Sequence, residues 1–185
     1  MILLVTTNPG LEDLAAKEVE ERLSKGARYK VIAGGRFITE LPGEIEIEKS
    51  VPKIFSLKTI HRVSLVLSEA SISADKESLN TIYDVTKNSE PYLYLNSQTT
   101  FAIRSERIGT HQFTSLDVAK VAGQAVIDAT MEKYGFRPKV NLDYPTIIFD
   151  STVIHGRYFF SLRLSGEESL HKRKFRVYDH PAALK

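Results

Sequence analysis

The alternation of apolar and polar residues along the chain predicts two consecutive units of strands and helices. In the first unit, period-two patterns and short apolar runs indicate strands, and apolar residues spaced by three and four indicate helices. The predicted elements are a strand at 2–7, a helix, strands at 28–32 and 36–41, a helix at 49–57 and a strand at 61–68. This β-α-β-β-α-β order is the ferredoxin-like pattern, which we assign to residues 1–69.

Cap and turn signals set the limits of these elements. Asn8 has the chemistry of an N-cap and Pro9 suits the first helical position, so the first helix is predicted to begin there. Its apolar face is formed by Leu11, Leu14, Ala15, Val19 and Leu23. Gly34-Gly35 predicts a hairpin between the next two strands.

The second unit, which we assign to residues 70–173, again mixes helices and strands. Its predicted elements are a helix at 77–87, a strand at 99–105, a long helix that ends at Tyr134-Gly135, and strands at 146–154 and 157–164. Thr114 and Asp117 have the spacing of a capping box at the start of the long helix, and His155-Gly156 predicts a tight turn. The expected fold class is therefore α/β of the α+β type, with residues 174–185 as a linker.

The composition is that of a globular chain without cysteine chemistry. The chain has 185 residues, of which 42% are hydrophobic, and no Cys. The absence of Cys excludes disulfides and thiolate sites and suits the reducing cytosol, so we expect a cytoplasmic protein. The N-terminal apolar run is too short for a signal peptide, and no stretch approaches the ~20 apolar residues of a membrane helix, so no membrane association is expected.

Positive charge is concentrated in the C-terminal half of the sequence. Residues 100–185 contain 13 Lys and Arg against 9 Asp and Glu, whereas residues 1–99 contain 12 against 14. A local cationic excess favours a polyanionic partner, although an excess of this size also occurs on proteins that bind no nucleic acid.

The most informative segment connects the predicted strand at 99–105 to the long helix. Its sequence is Arg104-Ser-Glu-Arg-Ile-Gly-Thr-His-Gln-Phe-Thr-Ser115. Cations, an aromatic ring and a helix N-terminus in one place can hold a phosphate backbone and an unpaired base. The combination indicates RNA binding rather than bond-making chemistry.

No catalytic, cofactor-binding or metal-binding constellation emerges from the sequence. The five histidines show no spacing typical of a helical metal site, and no G-x-S-x-G, P-loop or G-x-G-x-x-G motif occurs. We therefore assign no catalytic residue, no metal ligand and no cofactor site to this chain. A small-molecule-sensing regulatory module and an enzyme with an unrecognised site remain alternatives.

Several residues of the segment also have structural explanations. Arg104 and Glu106 share one strand face and could form an ion pair, whereas Arg107 is expected beyond the strand end. Phe113 could be a hydrophobic staple under the helix or a base-stacking ring. His171-Lys172-Arg173 could be a solvated tail or a second phosphate contact.

If the last strand ends beside the start of the long helix, both basic clusters would line one groove, with Glu106 and Glu167 at its rim; two unrelated patches are the alternative. The expected RNA-binding residues are Arg104, Arg107, Gly109, His111, Phe113, Thr114, Ser115, Lys120, Arg163, His171, Lys172 and Arg173.

Five features in a fixed order resemble a THUMP domain. They are Arg104-x-x-Arg-x-Gly-x-His-x-Phe-x-Ser115, the helix at 118–134, the turn Asn141-Leu-Asp-x-Pro145, the hairpin, and Leu164-Ser-Gly-Glu-Glu-Ser-Leu-His-Lys-Arg173. A preceding ferredoxin-like unit is also the usual arrangement of this family. The resemblance implies an RNA-binding module of a tRNA-modifying protein, in which a basic groove holds the acceptor end of tRNA.

The C-terminal residues most resemble the approach to the catalytic domain of THUMP-type tRNA guanine-N2-methyltransferases. This resemblance implies a catalytic domain after Lys185, with an S-adenosylmethionine site and an Asn-Pro-Pro-Tyr-like motif that residues 1–185 lack. The chain would then bind the acceptor stem and 3′ end and be non-catalytic alone. THUMP parts of 4-thiouridine synthetases, pseudouridine synthases and cytidine-acetylation adaptors are alternatives.

Overall fold

The computed structural model describes residues 1–42 and 47–170. The elements within these ranges follow one another in chain order, with a short 3₁₀ helix at Pro91–Tyr94 between α3 and β5. They are β1 (Ile2–Thr7), α1 (Glu12–Arg22), β2 (Arg28–Ala33), β3 (Arg36–Glu40), α2 (Ile47–Ile54), β4 (Ile60–Ser71), α3 (Ser78–Asn88), β5 (Thr100–Ile108), α4 (Ser115–Tyr134), β6 (Lys139–Val140), β7 (Ile147–Ile154) and β8 (Arg157–Arg163).

All of these strands belong to a single sheet. Their order is β2-β3-β1-β4-β8-β7-β5-β6, with β5 parallel to β6 and β7 and the other neighbours antiparallel. The predicted α/β class and the β-α-β-β-α-β order of the first unit are confirmed. The predicted boundary at residues 69 and 70 falls inside β4, which pairs with β1 on one side and β8 on the other, so one strand joins the two units.

The helices pack against one face of this sheet. The large core on that face includes Ala15 and Val19 of α1, Ile54 of α2, Ile82 of α3 and Val126 of α4. The strand side chains that meet them include Leu3, Val5, Phe37, Phe149 and Phe160. Each such side chain, buried completely, contributes about 1.5–3 kcal/mol to folding, so this layer supplies most of the hydrophobic stabilisation.

The opposite face of the sheet is concave. Arg36 on β3 donates two hydrogen bonds to the carboxylate of Glu106 on β5. Five strand steps separate β3 from β5, about 24 Å in a flat sheet, which is beyond the reach of these two side chains. Ile32 on β2 and Ile108 on β5 also pack against one small buried cluster. This apolar cluster consists of Leu4, Ile154 and Phe159. The sheet must therefore curl so that its two halves face each other across the interior.

A buried ion pair lies at the centre of the concave face. Asp150 on β7 receives hydrogen bonds from Nε and Nη2 of Arg163 on β8 and, at 2.6 Å, from the hydroxyl of Ser64 on β4. The side chains of Arg163 and Asp150 are 2% and 4% exposed. Because its donors come from β4 and β8, the carboxylate of Asp150 links three adjacent strands across the junction of the two units.

The first helix begins later than predicted. Asn8 does not cap it; its amide oxygen lies 2.9 Å from Nε2 of His61, and α1 starts at Glu12. The carboxylate of Glu12 instead accepts hydrogen bonds from the backbone N–H groups of Gly10 and Gly35. Gly35 has a φ of 72°, and a Cβ there would lie 2.5 Å from the carbonyl oxygen of Thr7, so the predicted hairpin requires this glycine.

The predicted apolar face of α1 is partly wrong. Leu11 and Leu14 are exposed, whereas Ala15, Ala16 and Val19 are buried. The residues of α1 that are buried are thus smaller than the leucines that the helical spacing selects. The short helix at Pro91–Tyr94 and the two-residue strand β6 are not predicted from the sequence.

We predict that Asp150→Asn lowers the free energy of unfolding by about 3–5 kcal/mol, because it leaves the guanidinium of Arg163 buried without its counter-charge. The matched control is Glu69→Gln, which breaks the half-exposed ion pair with Arg157 and should cost about 1 kcal/mol or less. Urea denaturation of both variants measures the difference. Similar destabilisation of the two variants would show that the buried pair does not support the sheet.

Candidate nucleic-acid interface

The predicted binding segment begins within β5 rather than after it. β5 pairs with β7 from Phe101 to Ile108, so Arg107 lies in the strand and the expectation that it follows the strand end is wrong. In this register Arg104 is opposite Asp150 and Arg107 is opposite Val153. Since side chains alternate along a strand, Arg104 faces the concave interior and its opening, whereas Arg107 faces the helix-covered core.

Arg107 and His111 hold the turn that follows β5. Nη1 of Arg107 donates to the carbonyl oxygen of Gly109 at 2.7 Å and lies 3.3 Å from Nδ1 of His111. Nε2 of His111 lies 2.8 Å from the carbonyl oxygen of His155. A carbonyl oxygen only accepts, so Nε2 carries the proton and Nδ1 is left to accept from Arg107. These contacts fasten the turn to the β7–β8 hairpin.

Gly109 is required in this turn by its backbone. Its φ is 107°, and a Cβ would lie 3.2 Å from ring atoms of both His111 and His155.

Of the two roles predicted for Phe113, packing under the helix and stacking on a base, the structure shows the packing role. Phe113 is 2% exposed and its ring centroid lies 5.0 Å from that of His111, so in this structure it offers no free face to a base.

The start of α4 has the predicted capping box. The hydroxyl of Thr114 accepts from the N–H of Asp117 at 3.2 Å, and the carboxylate of Asp117 accepts from the N–H of Thr114 at 2.8 Å. Hydrogen bonds from the backbone and hydroxyl of Thr114 lower the pKa of Asp117. Thr114 is therefore engaged in the cap, and the exposed Lys120 one turn further along α4 lies near a negative charge.

The ion pairs around Arg104 differ from the expected one. Arg104 does not pair with Glu106 but donates to the carboxylate of Glu167 and, at 2.8 Å, to the carbonyl oxygen of Leu142. Glu106 is paired with Arg36, on the opposite wall of the curled sheet. Both residues thus have other partners than expected because the curl brings distant strands together.

An open depression of about 510 Å³ lies at the free edge of β5, which β6 covers only at Thr100 and Phe101. We call it the edge depression. Its lining residues are Arg62, Ile103, Arg104, Ser105, Glu106, Ser115, Leu116, Ala119, Thr152, Arg163 and Glu167. Of the predicted site residues, it brings together Arg104, Ser115 and Arg163, together with both predicted rim glutamates.

Arg163 has a different environment from the one expected. It does border the edge depression, as predicted for a groove residue, but its guanidinium is buried and bound to Asp150. His171, Lys172 and Arg173 lie outside the described residues. The single groove that joins all of these residues therefore stays a prediction.

The cationic excess of residues 100–185 comes from a short part of that range. Residues 100–170 contain eight Lys and Arg and eight Asp and Glu, whereas residues 171–185 contain five against one. The surplus belongs entirely to the segment around Lys172 and Arg173. Around β5 and α4, positive side chains are balanced by acidic ones.

Two exposed side chains were not predicted from the sequence: Leu116 lines the edge depression, and Tyr144 lies in the turn whose Leu142 carbonyl oxygen accepts from Arg104. Leu116 and Tyr144 are 70% and 87% exposed. An Asx turn determines the position of Tyr144, because the amide oxygen of Asn141 accepts from the N–H groups of Asp143 and Tyr144. The Asn141-Leu-Asp-Tyr-Pro145 turn was the available signal for an exposed ring.

None of the helices within residues 1–42 and 47–170 combines the length and the hydrophobicity of a membrane-spanning segment. The same part of the chain contains no cluster of three or more His, Asp or Glu side chains suited to a metal ion.

Comparison with known proteins identifies a domain and its relatives. Residues 76–163 match the family model of the THUMP domain. The tRNA (guanine(6)-N2)-methyltransferase of Archaeoglobus fulgidus is 40% identical over 181 residues, which cover 97% of this chain and 43% of the relative. The protein of the same name from Methanocaldococcus jannaschii is 35% identical over 181 residues, with coverages of 97% and 45%.

Other similar proteins share less of the chain or less identity. A probable tRNA sulfurtransferase of Saccharolobus islandicus is 31% identical over 118 residues, 61% of this chain and 30% of the relative. The crystal structure of TrmN from Thermus thermophilus superposes with a TM-score of 0.68 and 25% identity, covering 91% of this chain and 46% of that one. The chain spans less than half the length of each of these proteins. Residues 76–163 therefore match a THUMP domain, and 97% of the chain is similar to part of two tRNA (guanine(6)-N2)-methyltransferases.

Proposed function

We propose that this chain is the tRNA-binding part of an S-adenosylmethionine-dependent tRNA guanine-N2-methyltransferase. It would hold the acceptor stem and 3′ end of tRNA so that a catalytic part beyond residue 185 can modify a guanine base. The observation that carries the proposal is the 40% identity to the tRNA (guanine(6)-N2)-methyltransferase of A. fulgidus over 97% of this chain. S-adenosylmethionine would bind in the catalytic part, and the enzyme would act in the cytoplasm.

The edge depression supports this proposal through the chemistry of its lining. Arg104 and Ser115 offer hydrogen-bond donors at an open surface, and the guanidinium of Arg104 can exchange part of its contact with Glu167 for a phosphate, because that carboxylate is 45% exposed. Lys120 adds an exposed cation on α4. Tyr144 replaces Phe113 as the ring on which an unpaired base would stack.

The remaining predicted residues take supporting roles in this proposal. Arg107, Gly109 and His111 fix the turn before α4, and Thr114 caps the helix. Arg163 balances Asp150 inside the sheet. His171, Lys172 and Arg173 would supply most of the long-range attraction for RNA, since residues 171–185 carry the surplus positive charge.

A 4-thiouridine synthetase is the second candidate for the parent protein. It is favoured by the similarity to a probable tRNA sulfurtransferase, but that similarity covers 61% of this chain, against 97% for the methyltransferases. Both candidates share tRNA binding by residues 1–185 and differ in the catalytic part.

We predict that charge reversal of Lys172 and Arg173 together lowers the slope of log affinity against log salt concentration by roughly 0.7 to 0.9 for each phosphate that these side chains neutralise. Filter binding of a tRNA transcript at several salt concentrations measures the slope. The matched control reverses Lys17 and Lys25, two exposed lysines on α1 and the loop after it, and should change the slope little. If the two double variants change the slope equally, Lys172 and Arg173 act only through the net charge of the chain. If binding by the parent chain does not depend on salt, the electrostatic proposal is refuted.

We predict that Tyr144→Ala weakens tRNA binding by about 1–3 kcal/mol, the usual value of base stacking on a protein ring, whereas Tyr144→Phe binds like the parent. Trimming the 3′ overhang should weaken binding of the parent and of Tyr144→Phe more than binding of Tyr144→Ala. Titrations of intact and trimmed tRNA with all three proteins test this. If trimming weakens binding of the three proteins equally, Tyr144 does not stack on the overhang.

A further inference from the structure

Charges are unequal in number around the narrow interior of the curled sheet and the edge depression into which it opens. Within the described residues, the linings of these two cavities together contain four arginines and three carboxylates. They are Arg36, Arg62, Arg104 and Arg163, and Glu106, Asp150 and Glu167. One positive charge is therefore left without a carboxylate of its own.

The three carboxylates are already bound by three of the arginines. In each pair, both Nε and a terminal nitrogen of the guanidinium donate to the carboxylate. In the pairs of Arg36 and Arg163 the two nitrogens reach different oxygens of the carboxylate, which is the stronger form of this ion pair, whereas both nitrogens of Arg104 donate to Oε1 of Glu167. The pairs are Arg36 with Glu106, Arg163 with Asp150, and Arg104 with Glu167.

Arg62 is the surplus cation. It lies on β4, in the first unit, and its closest ion-pair distance is 4.0 Å from Nη1 to Oδ1 of Asp150, whose oxygens are held by Arg163 and Ser64. No hydrogen bond connects its guanidinium to another described residue. Burial lowers the pKa of Arg62, and although Asp150 opposes this effect, Arg163 adds to it. An arginine remains charged despite such a shift, so its five N–H donors are free for an anion.

The guanidinium of Arg62 is accessible from the surface. It borders both the narrow interior of the curled sheet and the edge depression, and its side chain is 39% exposed. Ser115 and Leu116, in the first turn of α4, line the same edge depression. The edge depression is open and of nucleotide size, which suits a phosphate that belongs to a chain better than an enclosed small ion.

We propose that Arg62 binds a backbone phosphate of the RNA that occupies the edge depression. The first unit then contributes a direct RNA contact, and binding is shared between β4 and the THUMP domain. This inference rests on the proposed tRNA-binding function. It also explains why one arginine on the concave face lacks a carboxylate: a fourth acidic partner would repel the phosphate.

The test compares Arg62→Gln with Lys25→Gln in residues 1–185. Each variant removes one positive charge, and Lys25 lies in the loop after α1, away from the edge depression. We expect Arg62→Gln to bind tRNA about tenfold more weakly and to lower the salt slope by about 0.7 to 0.9. Its thermal midpoint should not fall, because the guanidinium makes no hydrogen bond to the described residues. Lys25→Gln should match the parent in all three measurements.

The outcomes separate this inference from the function on which it rests. If the parent chain fails to bind tRNA, both are refuted. If the parent binds and Arg62→Gln binds equally well, or if Arg62→Gln and Lys25→Gln are weakened to the same extent, the Arg62 contact alone is refuted. A lower thermal midpoint with unchanged affinity would make Arg62 a structural partner of Asp150. Thermal unfolding with inorganic phosphate tests for a small-anion site. If phosphate stabilises the parent but not Arg62→Gln, and both bind tRNA equally well, the proposal is also overturned.

Discussion

The buried carboxylate of Asp150 is the contact on which the two halves of this protein depend. It receives donors from Ser64 on β4 and Arg163 on β8, at the junction where the first unit joins the second. A buried carboxylate needs such donors to offset the loss of water. The Asp150 contacts and the Arg36–Glu106 ion pair together explain how the face of the sheet without helices curls around its own interior. The concave interior is narrow and contains both this charged network and a small apolar cluster around Phe159.

This closure determines which cations remain available to a ligand. A count of basic residues treats Arg104, Arg107 and Arg163 alike, but the fold gives each a different environment. Arg163 is buried with Asp150, Arg107 holds the turn after β5, and Arg104 lies at an open edge. Arg62 became a candidate only because, among the described residues, each carboxylate that lines the same cavities is already bound to another arginine. In such a site, the basic residue that is available to a ligand is identified by which neighbouring carboxylates are already paired, and not by its being an arginine or a lysine.

The sequence predicted the local structure better than the environment of individual side chains. The β-α-β-β-α-β order of elements in the first unit, the capping box at Thr114 and the two hairpins depend on short-range signals, and these predictions are confirmed. The extent of β5 was underestimated because its pairing with β7 keeps it extended through Ile108. The curl of the sheet depends on contacts between strands far apart in sequence. For that reason neither the Arg36–Glu106 pair nor the special position of Arg62 could be predicted.

The central claim is that tRNA lies along the free edge of β5, between the first turn of α4 and the turn before β7. Hydrogen exchange of residues 1–185 with and without tRNA tests it most directly, because bound RNA slows exchange where it covers the backbone. The account predicts slower exchange at residues 104–106, 115–120 and 141–144, with little change in α1 and the β2–β3 hairpin. Protection confined to the outer surface of α3 and the end of α4, or no protection while tRNA is bound, would contradict it.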